Sequence, residues 1–284
     1  MLLWSSLGTI DVSAQEKPAV IARAHEGGRV PTFDEPIFML MLGGDAHNGN
    51  PSNVRMDAIQ IVAIDPVSLR ASILGIPRDS YVQIPGRGNG KITGAGTGGP
   101  DLMIRTVERL SGCKFDYYTL TSFDGFERLV DQFGGISFVV DKRYFERGGS
   151  RIDLQPGRQV FKGKQALAWA RNRKVGRPQG DFDRSRAQGD LLKAALTEAR
   201  ADYGKNPGLA LRALGAMRRN LKMNIPLEES LKLGLLALRI DPAKVRTDVV
   251  DGENATEGGS SIVRITTAGK SELVDICSDG QLGS

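Results

Sequence analysis

Six consecutive apolar residues, Ile37-Phe38-Met39-Leu40-Met41-Leu42, stop abruptly at Gly43-Gly44-Asp45. A run of strand length with no polar residue reads as a strand covered on both faces, so helices or further sheet must lie above and below it. The residues that follow supply those layers. Ala58 to Ile64 reads as a second strand ending in the turn signal Asp65-Pro66, and Leu69 to Ile76 as a third, stopped by Pro77. The short connection between them predicts an antiparallel hairpin.

Pro100 stands where the first turn of a helix would be and Gly112 where its C-terminal stop would be, with Leu102, Val107 and Leu110 on one face. A strand from Phe115 to Leu120, a helix over 123–133 closed by Gly134-Gly135, and a strand from Ile136 to Val140 follow. Strand, helix, strand, helix, strand predicts a layered α/β fold. Helices are expected at 163–170, from about Asp183 to Ala201, and near 206–219 and 227–239. The tail reads as a strand, a loose Gly/Ser stretch and a terminal helix from Ala268 to Cys277. Glycine is abundant, 35 of 284 residues, which favours many tight turns over a helical bundle.

Residues 1–36 form a polar, turn-rich lead-in ahead of a domain over 37–284. Val12-Ser13-Ala14 resembles a signal-peptidase site, so a remnant of a signal or membrane anchor and a plain tail both fit. No stretch reaches the ~18 apolar residues of a transmembrane helix.

The formal net charge is +5. That excess suits phosphate, an anionic polymer, a membrane surface or nucleic acid. No nucleic-acid reading element accompanies it, which disfavours the last. The cations are clustered. Arg171-Asn172-Arg173 is followed by Gly180-Asp181-Phe182-Asp183-Arg184 and then Gln188. Arg184 and Gln188 share one face at the start of a helix, where unpaired N–H groups favour an anion. Guanidinium forks suit phosphate oxygens in bidentate pairs. The bland alternative is a solvated surface on which these arginines pair with Asp181, Asp183 and Asp190.

Asp45 and Asp57 follow or open early strands, where ligands of open α/β sheets bind. Two carboxylates beside a pyrophosphate are what Mg²⁺ requires; the alternative is that each caps a turn. Arg78, in Ile76-Pro77-Arg78-Asp79, adds a cation at a strand end. Lys91 lies in the glycine-rich stretch 85–99, whose backbone N–H groups suit phosphate. His25 and His47 are the only histidines and have no spaced partner, and no G-x-S-x-G elbow is present, so acyl-hydrolase chemistry is disfavoured. Cys113 and Cys277 lack CxxC spacing, which argues against a metal site. A disulfide in an oxidising compartment and two free thiols both remain open.

Taken in order, LMLGGDAHNG, RMDAIQIVAIDP, ILGIPRDSYVQIPG, GKITGAGTGGP, DYYTLTSFDGFERLVDQFGGI and GKQALAWARNRK…GDFDRSRAQGDLL resemble the LytR–CpsA–Psr family over roughly residues 37–200. The resemblance implies a three-layer α-β-α sandwich around a mixed central sheet, with a hydrophobic pocket for a polyprenyl chain, whose candidate lining includes Leu231 to Leu238. It implies an extracytoplasmic, membrane-anchored or wall-associated transferase that moves a glycopolymer from a polyprenyl-pyrophosphate carrier to a muramic-acid hydroxyl of peptidoglycan. Arg78, Arg171, Arg173, Arg184 and Gln188, with Lys91, would bind the pyrophosphate; Asp45 and Asp57 would engage Mg²⁺; Asp45, Asp57, Arg78 and Arg173 would be catalytic, with Asp45 and Asp79 as candidate general bases. The chain departs from the family pattern at His47, Ala58, Ala187 and Gly189, which implies altered phosphate affinity or metal dependence. A polyprenyl-pyrophosphate phosphatase and a non-catalytic lipid-binding module are the competing functions.

Overall fold

The structure, a computed structural model, describes residues 33–46, 51–148, 152–205 and 208–283. Most of the lead-in, His25 and His47 lie outside the described residues.

The apolar run is β1 (Ile37–Gly44), followed by β2 (Met56–Asp65) and β3 (Arg70–Gly75). The glycine-rich stretch is not one open loop: β4 (Tyr81–Ile84) and β5 (Gly88–Lys91) form a hairpin there, and a 3-10 segment, Ile92–Gly98, leads into α1 (Pro100–Ser111). Then come β6 (Tyr117–Thr121), α2 (Phe123–Gln132), β7 (Ile136–Val140), β8 (Tyr144–Glu146), β9 (Ile152–Leu154), β10 (Gly157–Phe161) and α3 (Gly163–Arg171). The long helix α4 (Asp181–Lys205) precedes α5 (Gly208–Asn220), β11 (Lys222–Met223), α6 (Leu227–Arg239) and β12 (Val245–Val249). The chain closes with β13 (Gly252–Glu257), β14 (Ser260–Ile265) and α7 (Thr267–Asp279).

Six strands form the central mixed sheet in the order β11-β6-β1-β2-β3-β12. β1, β2 and β3 are antiparallel neighbours, while β6 runs parallel to β1 and β12 parallel to β3. Alternate residues of each strand point to opposite faces, and both faces are covered. Phe38, Leu40, Leu42, Ile59, Ile61 and Leu74 pack beneath α1 and α7, against Leu102, Met103, Val107, Leu273 and Ile276. Ile37, Met39, Met41, Val62, Ile64 and Ile73 pack on the other side against Leu192 and Leu196 of α4 and Leu233 and Leu236 of α6. The result is the expected three-layer α-β-α arrangement. Each fully buried Leu, Ile or Phe contributes about 1.5–3 kcal/mol, so the two-sided strand β1 anchors both layers.

Two expectations are corrected and one open alternative is decided. β7 does not join the central sheet; it pairs with β10 in a separate ribbon that builds a second core with α2, α3 and α4 around Phe161, Trp169 and Leu191. The Gly/Ser stretch of the tail is the β13–β14 hairpin, turned by Gly258 and Gly259 at positive φ. Cys113 and Cys277 are joined in a disulfide with Cα atoms 4.9 Å apart, which ties the end of α1 to α7.

Candidate active site

The C-terminal ends of β1, β3, β6 and β12 and the start of β2 lie along one edge of the sheet, because β2 runs against its neighbours. Asp45 leaves β1 there, its N–H donating to the carbonyl of Arg55 at 3.0 Å, and Asp57 opens β2. Pro77 ends β3, and the tight turn Pro77–Ser80, closed by Ser80 N–H to the Pro77 carbonyl at 3.0 Å, aims Arg78 and Asp79 at the same edge. The turn is braced from two sides. Thr93 N–H reaches the Arg78 carbonyl at 3.1 Å, and Val263 N–H of β14 reaches the Asp79 carbonyl at 2.9 Å.

Helix α4 approaches this edge closely. A Cβ at Gly75 would meet the side chain of Gln60 and Ser185 Cβ at 3.1–3.2 Å, so glycine is what lets the helix lie over β3. Gly180, at φ +59, turns the chain into the helix. The expected anion site on the helix N-terminus is filled by the chain's own acids. Asp181 and Asp183 occupy the first turn, and Asp183 accepts the Gln179 N–H at 2.9 Å. An anion at this edge would therefore meet side chains rather than the helix's backbone N–H groups.

Four cations and three carboxylates interlock here. Arg78 is ion-paired with Asp57 and lies 4.0 Å from Asp79; Lys91 approaches Asp79 at 3.3 Å and Arg173 approaches it at 3.8 Å. Arg184 pairs with Asp181, and the Asp181 carboxylate accepts the Asp79 N–H at 3.2 Å. Arg184 is only 2% exposed, so it is not part of a solvated coating, whereas Arg171 and Arg173 are exposed, Arg173 at 41%. The pairing of Arg184 with Asp181 is the one that alternative named. Burial pushes the Arg184 pKa down to about 10, with Asp181 opposing the shift and Arg78 adding to it. Burial also opposes the charge on Arg78, but the carboxylates of Asp57, Asp79 and Asp181 outweigh it and raise its pKa. Arg78 Nε and Arg184 Nε and Nη2 are buried with no hydrogen-bond partner, since Arg184 Nη2 touches Asp181 without hydrogen-bond geometry. Orphaned guanidinium N–H groups inside a cationic cluster are suited to a polyanion.

Not every expected residue joins the cluster. The helix α3 ends at Arg171, whose guanidinium stacks on the Phe123 ring at 4.3 Å, and extended Asn172 sends Arg173 elsewhere, toward Asp79. Gln188 is committed to backbone. Its amide donates to the Asp57 carbonyl at 3.2 Å and the Ala170 carbonyl at 3.1 Å, and its oxygen accepts from Gln60 at 3.3 Å. It therefore positions Asp57 against the end of α3. Asp79, a candidate general base from the sequence, and Asp181, named there only as a surface partner of the arginines, are the carboxylates that organise the cations. Sequence reasoning missed Arg177: buried, stacked on Trp169 at 4.6 Å and donating to the Asn172 carbonyl at 2.6 Å, it shapes the loop that carries Arg173.

Asp45 and Asp57 sit on adjoining strand ends, each beside a basic partner; Asp45 lies 3.8 Å from Arg55. No three His, Cys, Asp or Glu side chains gather as a metal cage among the described residues. Two carboxylates without a cage suit a cation that completes its shell with substrate phosphates and water, as Mg²⁺ does.

Of the expected apolar lining, Leu233 and Leu236 are core residues while Leu231 and Leu235 are exposed. Two cavities, of about 830 and 380 Å³, lie away from these leucines.

The LytR_cpsA_psr family pattern matches residues 8–276. Among curated relatives, the polyisoprenyl-teichoic acid–peptidoglycan teichoic acid transferase TagU of Oceanobacillus iheyensis is 36% identical over 172 residues, 58% of this chain and 52% of the relative. The transferase of the same description named TagT, from Bacillus subtilis (strain 168), is 31% identical over 234 residues, 78% of this chain and 71% of the relative. A solved structure of TagT bound to LI-WTA superposes with a TM-score of 0.71 at 26% identity, covering 88% of this chain and 93% of that one. The chain thus spans about half the length of the first of these relatives.

Proposed function

This chain belongs to the LytR_cpsA_psr family, and from that membership and the geometry of its site we propose that it transfers an anionic glycopolymer from a polyprenyl-diphosphate carrier to peptidoglycan. The observation that carries the reading is the convergence of Arg78, Lys91, Arg173 and Arg184 on Asp57, Asp79 and Asp181, with buried guanidinium N–H groups left to donate. A hydroxyl oxygen of the acceptor glycan attacks the phosphorus that bears the glycopolymer. The new P–O bond forms a phosphodiester, and the bond to the bridging oxygen breaks. Its electron pair leaves on polyprenyl phosphate, and the hydroxyl proton goes to a carboxylate, for which we assign Asp79.

Charge grows on the departing phosphate, and fixed cations stabilise it more in the transition state than in the ground state. Arg184, in a buried ion pair, and Arg78, in a partly buried one, supply the fixed part. Lys91 and Arg173, more exposed, close on the diphosphate from the solvent side. Arg171 would reach it from the end of α3. Asp45 and Asp57 would hold Mg²⁺, which when bound would neutralise charge on the diphosphate oxygens. The carrier chain would pack among the apolar residues of α4 and α6, at about 0.8 kcal/mol per buried CH₂. The disulfide favours an oxidising, extracytoplasmic setting.

The test is purified protein with a lipid-diphosphate-linked glycan, with and without peptidoglycan, in Mg²⁺. Polyprenyl phosphate release that depends on the acceptor supports transfer. Equal release without acceptor makes the protein a phosphatase, and donor binding without turnover makes it a binding module.

A further inference from the structure

The two cavities share a border. The smaller, about 380 Å³, lies between the start of α4 and β13, where Gln179, Phe182, Glu253 and Asn254 face it; the larger, about 830 Å³, continues between β12, α4 and α7. They adjoin across the ion pair of Arg186 with Asp248, 3.4 Å, and the bond from Asp251 N–H to Glu272, 2.9 Å, each of which joins a residue of one cavity to a residue of the other. Both volumes fall within the roughly 300–1,000 Å³ in which proteins hold small ligands.

We propose that this trough is the acceptor subsite and holds the uncharged sugar backbone of a peptidoglycan glycan strand; the inference rests on the transferase reading above. The chemistry of its walls sets it apart from the diphosphate site. Asp248, Asp251, Glu253, Glu272 and Asp275 face only Arg186, Lys193 and Arg246 among the lining charges, so the trough disfavours a second phosphate. Amide and carboxylate side chains, Gln179, Asn254 and Glu253, offer donors and acceptors to sugar hydroxyls and acetamido groups. The half-buried ring of Phe182 offers an apolar face to the C–H side of a pyranose. The trough also begins beside the reacting groups. Phe182 follows Asp181, whose carboxylate holds Asp79, and β13 pairs with β14, whose Val263 holds the Asp79 carbonyl. A strand lying in it would bring a hydroxyl toward Asp79.

Asn254→Trp, at an exposed strand position, fills the smaller cavity, and Glu253→Ala removes one acceptor. Both are outside the cationic cluster. The expected result is a rise of roughly fivefold or more in the KM for undecorated peptidoglycan, with donor KM and kcat nearly unchanged. Saturation transfer from the protein to chitotetraose, read by NMR, should disappear in the same variants. Unchanged acceptor KM in two variants with native circular dichroism would overturn the proposal. If the Trp variant does not fold, Glu253→Ala decides. If the wild-type protein transfers nothing, the transferase reading fails, and chitotetraose binding still judges the trough. Binding by the wild type that the variants abolish upholds it, and a wild type that does not bind ends it.

Discussion

The backbone N–H of Asp79 donates to the carboxylate of Asp181 at 3.2 Å, joining two residues 102 positions apart. That one bond docks the start of α4 on the turn after β3, and it makes Asp181 serve two masters, a backbone donor and the buried guanidinium of Arg184.

Removing either member of that pair leaves an uncompensated buried charge. Asp181→Ala or Arg184→Ala is expected to lower unfolding stability by about 3–5 kcal/mol, read by urea denaturation. The double change Asp181→Leu with Arg184→Met should recover most of the stability and none of the diphosphate binding. A double variant as unstable as the singles contradicts this account.

Arg173 and Lys91 behave differently because their ion pairs with Asp79 are partly exposed. Arg173→Ala and Lys91→Ala are expected to change stability by less than about 1 kcal/mol. Turnover should fall by about 10²–10³, the usual loss for one charge-stabilising donor. Steady-state kinetics beside thermal melts separate the two effects.

Burial raises the pKa of Asp190 above its ordinary 3.8, against the opposing hydrogen bond from Thr247 and the charges of Arg186, Lys193 and Arg177. The folded state therefore holds this proton more tightly than the unfolded chain does. Stability from this group is full below about pH 3.8 and falls as pH rises through the folded pKa. Asp190→Asn, which keeps the acceptor for Thr247, should match the wild type in acid and exceed it at neutral pH. Equal stability across that range in a pH series of denaturation curves would falsify the assignment.

The Cys113–Cys277 bridge closes a segment of 164 residues. Reduction, or Cys277→Ser, should cost about 2–4 kcal/mol. Differential scanning calorimetry with and without reductant measures it, and the Ser variant should ignore the reductant.

Chelation of Mg²⁺ should slow transfer in the wild type, and Asp57→Asn should raise the Mg²⁺ concentration needed for half-maximal rate. A rate indifferent to chelator and to added Mg²⁺ removes the metal from the reaction.

The layers of this fold were readable in sequence wherever a local rule decides the outcome. The apolar run at 37–42 demanded two covering layers, Pro77 ended β3, and Gly112 took the left-handed cap of α1 at φ +79. Partner choice was not readable. The run Ile136–Val140 looks the same whether it joins β6 or β10, because the alternation fixes a strand and not its neighbour. The β13–β14 hairpin did carry a signal, Gly258-Gly259 between alternating residues, which is the composition of a tight hairpin turn. At the site, the cations stood out as a motif, but their arrangement depended on where α3 stops. One more helical residue would have sent Arg173 in another direction. The pairing of Asp181 with Arg184 is local and was legible as an alternative, whereas the bond that joins Asp79 to Asp181 spans 102 residues and leaves no local signal.

Val263 steadies Asp79 from a hairpin near the far end of the polypeptide. A ribosome delivers that strand after the central sheet, the helices before α7 and every arginine of the cluster have already been made. Chains cut short before residue 260 would carry all the cationic groups and still lack the wall that holds Asp79 in line. Trimming the tail, which also removes α7 and the disulfide, is therefore expected to disable the site while every arginine of the cluster stays in the chain.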